Sequence, residues 1–330
     1  MLAGIAVAGS LVPLPRAEIA LFGLLILALL PAFGGGLVED VTRRVSPGVR
    51  LLLTAVTASL AFSLAGVRLA RSDMAWLDGL LAFLPFSYMA LLLAVAGVAH
   101  SVNLIDGYNG LAGGVTMIVL SALGVVGYRQ GDLFVAAFCL IPAAATLGFL
   151  VLNWPRGKIF LGDGGAYVLG CIIALGAALL IMRNPGVSPW FAFALVVYPV
   201  WETLFSILRR VLIYRTHIGE PDARHLHSLV YRRLSWRWTG GRRKGHKAWR
   251  NSLTPVPFWV VNAGLACFAV AWCDDTRMQQ LIAVLFVLGY CLAYWRLARL
   301  ARPAAGMGER LRSRSVPGDS AMENEPDSAK

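Results

Sequence analysis

The chain has 330 residues, 58% of them hydrophobic and 15% charged, with a formal net charge of +12. That balance excludes an ordinary soluble domain and makes the useful unit of length a helix of roughly 20 residues per membrane crossing, which leaves room for about ten crossings. The positive charge lies in a few loops and the tail of an otherwise apolar chain, which is how membrane proteins set their orientation, so nucleic acid is not an expected partner.

In chain order, a partial apolar run at 1–12 is followed by runs long enough to span at about 17–33, 49–67, 80–99, 110–127, 133–152, 165–182, 189–207, 256–272 and 279–297. Backbone groups left unpaired in lipid are costly, so the predicted fold is an all-α polytopic membrane protein, a bundle of about ten transmembrane helices. No internal repeat points to an inverted-repeat transporter. Alternate loops at 34–48, 100–109, 153–164, 208–255 and 298–330, with Arg50 counted among the charges on that side, hold the excess of Lys and Arg and are placed in the cytoplasm with the active-site loops. The other side carries only Arg16, Arg68, Arg71, Arg129, Arg183 and Arg277. The expected organisation is one transmembrane domain over 1–300, containing the long basic loop 208–255, and a disordered cytoplasmic tail over 301–330 that has too little apolar content to repay ordering. The cysteines Cys139, Cys171, Cys267, Cys273 and Cys291 show no CxxC or His-paired spacing, so buried thiols are expected in place of a disulfide framework or zinc site.

Four polar clusters fall on the predicted cytoplasmic side. The first runs from Gly34 to Arg44 and carries the carboxylates Glu39 and Asp40 ahead of Arg43 and Arg44. Hard oxygen ligands beside cations suit Mg²⁺ and phosphate, and a solvated helix end would look the same. The second, His100 to Gly114, aims Asn103, Asp106 and Asn109 inward around Gly107 and Gly110. A turn explains Asp-Gly and Asn-Gly pairs, but not this much hydrogen-bonding capacity against a membrane interior. The third, Asn153 to Gly165, places Asp163 between glycines ahead of a helix from about Ala166, where it can act as an N-cap or hold a metal while backbone N–H groups face phosphate. Arg156 and Lys158 add charge for the same polyanion. The fourth holds Asp222, Arg224, His225 and His227, then Tyr231 to Arg233. Without a nearby Cys the histidine pair is better suited to phosphate and sugar oxygens than to zinc. The run from Trp236 to Arg250 reads as a basic aromatic segment on anionic headgroups.

These motifs, in this order between about Gly34 and Arg233, resemble those of the polyprenyl-phosphate N-acetylhexosamine-1-phosphate transferases. That membrane superfamily includes undecaprenyl-phosphate N-acetylglucosamine-1-phosphate transferase and phospho-N-acetylmuramoyl-pentapeptide transferase. The resemblance implies that Glu39 and Asp40 occupy the family's Asp-Asp pair, used in Mg²⁺ and lipid-phosphate handling. It implies that Asn103 and Asp106 form its Asn-x-x-Asp-Gly element, that Asp163 is a Mg²⁺ ligand, and that His225 and His227, preceded by Asp222, contact the nucleotide sugar. Glu39 stands where the pair has its first aspartate, Asn109 where many relatives have a second one, and Ser228 where a third histidine is common. The family's opening helix and Pro-x-Arg-x-Gly-Gly-type loop have no counterpart here, and a misassigned start codon is the expected reason.

The resemblance therefore implies transfer of an N-acetylhexosamine-1-phosphate from a UDP-sugar to undecaprenyl phosphate in the bacterial inner membrane, with the active site and C-terminus cytoplasmic, as the first step of a surface polysaccharide such as O-antigen. Glu39, Asp40, Asp106 and Asp163 are the expected catalytic residues, with Asp163 and Asp40 on Mg²⁺, or Mn²⁺ in its place. Asn103, Asn109, Arg156, Lys158, Asp222, Arg224, His225 and His227 are the expected substrate-binding residues. Membrane lipids are the surrounding partners, and a homodimer is left open. The alternatives are an ion-coupled transporter, which would hold its carboxylates near mid-membrane, and an inactive scaffold of the same fold.

Overall fold

A computed structural model describes residues 2–214, 224–238 and 246–299. Its helices are α1 (Leu2–Leu11), α2 (Arg16–Ala28), α3 (Leu30–Thr42), α4 (Pro47–Ala65), α5 (Ala75–Leu81), α6 (Leu84–Ile105), α7 (Leu111–Arg129), α8 (Leu133–Asn153), α9 (Gly162–Arg183) and α10 (Pro189–Arg209). There follow α11 (Leu226–Val230), α12 (Trp236–Trp238), α13 (His246–Leu253), α14 (Pro255–Ala271) and α15 (Thr276–Arg299), with wider π-type turns at Arg210–Tyr214 and Tyr231–Ser235. No strand occurs among the described residues. Proline in the first turn opens α3, α4, α6, α10 and α14, where its missing N–H has no helical partner to lose.

Nine helical stretches among the described residues are long and apolar enough to cross a bilayer, and the all-α polytopic architecture is thereby established. One of the nine is α2 and α3 joined through Leu29 as Arg16–Thr42. The tenth expected crossing is the 10-residue α1, which is too short to span by itself. Two boundaries also differ from expectation. Segment 34–48, expected as a cytoplasmic loop, is helical through Thr42, with Gly35 packed against Leu53 of α4 and Gly36 against Gly164 of α9, and α9 begins at Gly162 instead of near Ala166. The tail 301–330 and the loop residues 215–223 and 239–245 lie outside the described residues.

Helix α9 is the axis of the bundle. In its most apolar stretch 83% of residues are buried, against 17% in α15. Small residues let its neighbours approach closely, the usual device where lipid offers no hydrophobic drive to pack. A Cβ on Gly170 would lie 2.5 Å from the Ala99 Cα of α6, and a Cβ on Gly36 of α3 would lie 2.4 Å from the Gly164 Cα. Alternate connections gather at two ends. At one, Arg183 pairs with Glu18 at 2.7 Å and with Asp132 at 2.7 Å, while Arg71 donates to the Val187 carbonyl. Burial works against the Asp132 charge, but hydrogen bonds from Arg183, the Val135 amide and Asn184 outweigh it and hold the carboxyl below the usual range. The four polar clusters meet at the other end.

Candidate active site

The N-terminus of α9 organises the site. Its first N–H groups lack helical partners, and Leu161 at the N-cap supplies no side-chain acceptor. Asp40, arriving on α3, fills that role: Oδ1 accepts from the Asp163 amide at 2.8 Å and Oδ2 from the Gly164 amide at 3.1 Å. A negative charge is also favoured at this end of the helix dipole. Gly162, at φ 70°, allows the approach, since a Cβ there would meet Asp40 Oδ2 at 2.5 Å. Asp163 is thus not the cap of its own helix, and its carboxylate is directed to other partners.

Those partners are Arg50 and Asn103. Arg50 Nη1, from the first turn of α4, donates to Asp163 Oδ2 at 2.6 Å, and Asn103 Nδ2, from the end of α6, donates to Oδ1 at 2.9 Å. The Tyr167 hydroxyl donates to Asn103 Oδ1 at 3.5 Å. Glu39 lies 3.9 Å from Arg50 and accepts from the Val45 amide at 2.8 Å, which closes the turn between α3 and α4. Glu39, Asp40, Asn103 and Asp163 therefore form one connected network around Arg50. Arg50 was read in the sequence only as an orientation charge. The signal that points to it is a cation inside a predicted span.

Asp106 ends α6 with no hydrogen bond or ion pair to its carboxyl among the described residues. Burial, reinforced by the charges of Asp163 and Asp40, pushes that carboxyl up to about 7. Because the folded chain keeps a proton the unfolded chain releases, stability declines as pH rises from about 4 to about 7 and is flat above. Asp106→Asn removes this dependence. Melting of the two proteins in detergent between pH 5.5 and pH 8 is expected to show a gap in favour of the variant that opens up to about pH 7 and then stays constant.

The remaining predicted residues divide. The Asn109 amide donates to Asn251 Oδ1 at 2.7 Å and its Nδ2 to the Pro155 carbonyl at 3.2 Å, so it staples the α8–α9 connection to α13. Arg156 and Lys158 are exposed on that connection, with no side-chain partner among the described residues. His225 caps the short helix α11 and stacks on His227, ring centroids 5.1 Å apart and planes 9° apart. His227 reaches the second motif: its Nε2 lies 3.7 Å from where a Gly107 Cβ would stand, and its ring meets Tyr108 at 5.7 Å. Arg224 is exposed and its carbonyl accepts from Arg209 at 2.7 Å. Asp222 lies outside the described residues.

Mg²⁺ takes hard oxygens and commonly needs only one or two carboxylates, the rest of its shell being water and phosphate. No group of three His, Cys, Asp or Glu closes into a ligand set among the described residues. Burial first, and then the charges of Asp163 and Asp40, raise the Asp106 carboxyl; a cation would offset that second contribution, and oxygen donors of this kind fit Mg²⁺.

An apolar groove of about 730 Å³ runs beside this network between α4, α6, α9 and α10. It starts near Arg68, Ser72 and Met74 at the opposite end of the bundle and finishes at Leu51, His100 and Ser101. The His100 ring lies 4.9 Å from the Tyr167 ring, so the groove stops one side chain short of Asn103 and Asp163.

A carboxylate network at the helix ends of a polytopic bundle defines a membrane protein with a polar site at one surface. The family model described as Glycosyl transferase family 4 matches residues 22–182, so that stretch is similar to the family. A Bacillus subtilis (strain 168) protein described as a probable undecaprenyl-phosphate N-acetylglucosaminyl 1-phosphate transferase is 29% identical over 181 residues, 54% of this chain and 48% of that one. A phospho-N-acetylmuramoyl-pentapeptide-transferase of Clostridium perfringens (strain 13 / Type A) is 35% identical over 137 residues, 42% of this chain and 41% of the other. An undecaprenyl-phosphate alpha-N-acetylglucosaminyl 1-phosphate transferase of Yersinia pestis is 26% identical over 194 residues, 57% and 53% of the two chains. The chain spans about half the length of the curated relatives it matches.

Proposed function

We propose that this chain transfers an N-acetylhexosamine-1-phosphate from a UDP-sugar to a polyprenyl phosphate, undecaprenyl phosphate in a bacterial inner membrane, releasing UMP on the cytoplasmic side as the first step of a surface polysaccharide. The observation that carries this reading is the placement of the carboxylate network one side chain beyond the end of an apolar groove. A lipid tail lies in the groove and brings its phosphate to Asp163, Asn103 and Arg50. Along α6 the groove extends from Phe86 to Ser101, roughly 22 Å at the helical rise. A carrier would hold its ionisable groups deep within the bundle, whereas Asp40, Asp106 and Asp163 sit at helix ends.

In the reaction an oxygen of the lipid phosphate attacks the β-phosphorus of the UDP-sugar, and the bond to the bridging oxygen breaks, so UMP leaves with that oxygen. Asp163 and Asp40 are the residues that would hold Mg²⁺, which when bound neutralises charge on the diphosphate. Arg50 supplies fixed positive charge beside Asp163. Asp106, held near neutrality, exchanges a proton with the lipid phosphate. Asp40 is committed to the α9 amides, which favours Asp106 over Asp40 as the base. His227 and His225 face the nucleotide sugar.

The test is UMP release from membranes with undecaprenyl phosphate and a panel of UDP-N-acetylhexosamines, with and without Mg²⁺. Release that needs lipid, one sugar and Mg²⁺ is expected; silence from the folded protein overturns the reading. Gly97 lines the groove with open space where a Cβ would stand. Gly97→Phe is accordingly expected to raise KM for the lipid about tenfold while KM for the sugar nucleotide stays within about twofold, and equal changes in both would rule out the groove as the lipid site.

A further inference from the structure

The catalytic reading leaves one strongly buried charge unused. Glu202 lies inside the predicted span 189–207, on α10, and is 1% exposed. A carboxylate taken this far from water must be compensated by hydrogen bonds or opposite charge. Its compensation comes from the histidine motif. Glu202 Oε1 accepts from the Leu226 amide at 2.8 Å and lies 3.3 Å from His225 Nδ1, while Oε2 lies 3.9 Å from His227 Nδ1. Two turns further along the same face of α10, Arg209 is also buried, and its Nη1 donates to the Arg224 carbonyl at 2.7 Å and to the Tyr294 hydroxyl of α15.

We propose that Glu202 is a positioning residue of the site: with Arg209 it clamps the segment Arg224–His227 to α10 and orients both imidazoles with Nδ1–H toward the carboxylate, which turns the Nε2 edge of His227 to the Asp106–Gly107 corner. The ring nitrogen that faces a fixed acceptor carries the proton, and the opposite nitrogen is left for the ligand. The parallel stacking of the two rings and the 3.7 Å approach of His227 Nε2 to the Gly107 position are what this orientation requires. The second motif and the histidine motif, more than 100 residues apart in sequence, are thereby held in register by Glu202 and Arg209, side chains of α10 that do not line the groove.

This inference rests on the transferase reading for its kinetic test but not for its structural one. In the full-length chain labelled with ¹⁵N-histidine, His225 and His227, assigned through His225→Gln and His227→Gln, are expected as Nδ1–H tautomers and to shift toward Nε2–H in Glu202→Gln. The Gln side chain keeps the shape and the Leu226 contact but loses the charge. Kinetically, Glu202→Gln is expected to raise KM for the UDP-sugar about tenfold with KM for undecaprenyl phosphate within about twofold. Unchanged tautomers in the folded variant would overturn the clamp, and so would equal rises in both KM values. If the native protein releases no UMP, the transferase reading fails, and the tautomers alone decide the clamp.

Discussion

Asp163→Asn is expected to lower UMP release by about a hundredfold to a thousandfold, the loss typical when one preorganised charge is removed from a transition-state site. The amide retains the shape of the carboxylate and a hydrogen bond from Asn103, so the protein should fold. What it loses is the charge opposite Arg50, whose other nearby carboxylate, Glu39, is 3.9 Å away. It also loses an oxygen of the kind Mg²⁺ prefers. Titration with Mg²⁺ separates these contributions, because loss of a ligand raises the concentration needed for half-maximal rate, whereas loss of the Arg50 pairing lowers the maximum. Normal turnover at normal Mg²⁺ would remove Asp163 from the mechanism.

The second large effect is expected at Gly36, within a run of three glycines that provides its own controls. A Cβ on Gly36 would meet the Gly164 backbone at 2.4 Å and the Asp163 carbonyl carbon at 2.6 Å. Backbone cannot rotate away, so Gly36→Ala must separate α3 from α9 and pull Asp40 from the two amides it caps. A loss of about 3 kcal/mol of stability, together with most of the activity, is expected. At Gly35 the nearest atom is the tip of the Leu53 side chain at 2.3 Å, which can turn aside, so Gly35→Ala should cost less. Gly34 has nothing within 4 Å, and Gly34→Ala should be neutral or gain up to about 1 kcal/mol from helix propensity. Thermal melting of the three variants checks the order, and equal melting of Gly36→Ala and Gly34→Ala would contradict the close crossing.

The same glycines show why part of the fold was legible in the sequence and part was not. Long apolar runs announce spanning helices wherever they occur, and all nine were found near their observed positions. Gly34 to Gly36 were placed in a loop because the apolar run ends at 33, while in a membrane bundle the missing side chain of Gly36 is what permits contact between backbones. The carboxylates of the site were conspicuous because charge beside an apolar run is rare. Arg50 and Glu202 escaped for opposite reasons. Arg50 belongs to a class of residue already explained by orientation, and Glu202 is a single acid inside an apolar stretch whose partner Leu226 stands 24 residues further on, next to His225. Only the fold brings them together. Asn109 was legible as a polar residue of the site, but its bonds to Asn251 and Pro155 give it a stapling task that sequence order does not reveal.

The groove beside α6 has one further consequence. Leu51, Leu93 and Leu204 line it while remaining exposed at 50%, 72% and 44%, so it opens sideways to the surroundings of the bundle. On the proposed reading one substrate diffuses in from the three-dimensional aqueous phase and the other within the two-dimensional sheet of the bilayer. The lipid's effective concentration is then its mole fraction among its neighbours, and adding inert phospholipid dilutes it even when the number of molecules per litre is unchanged.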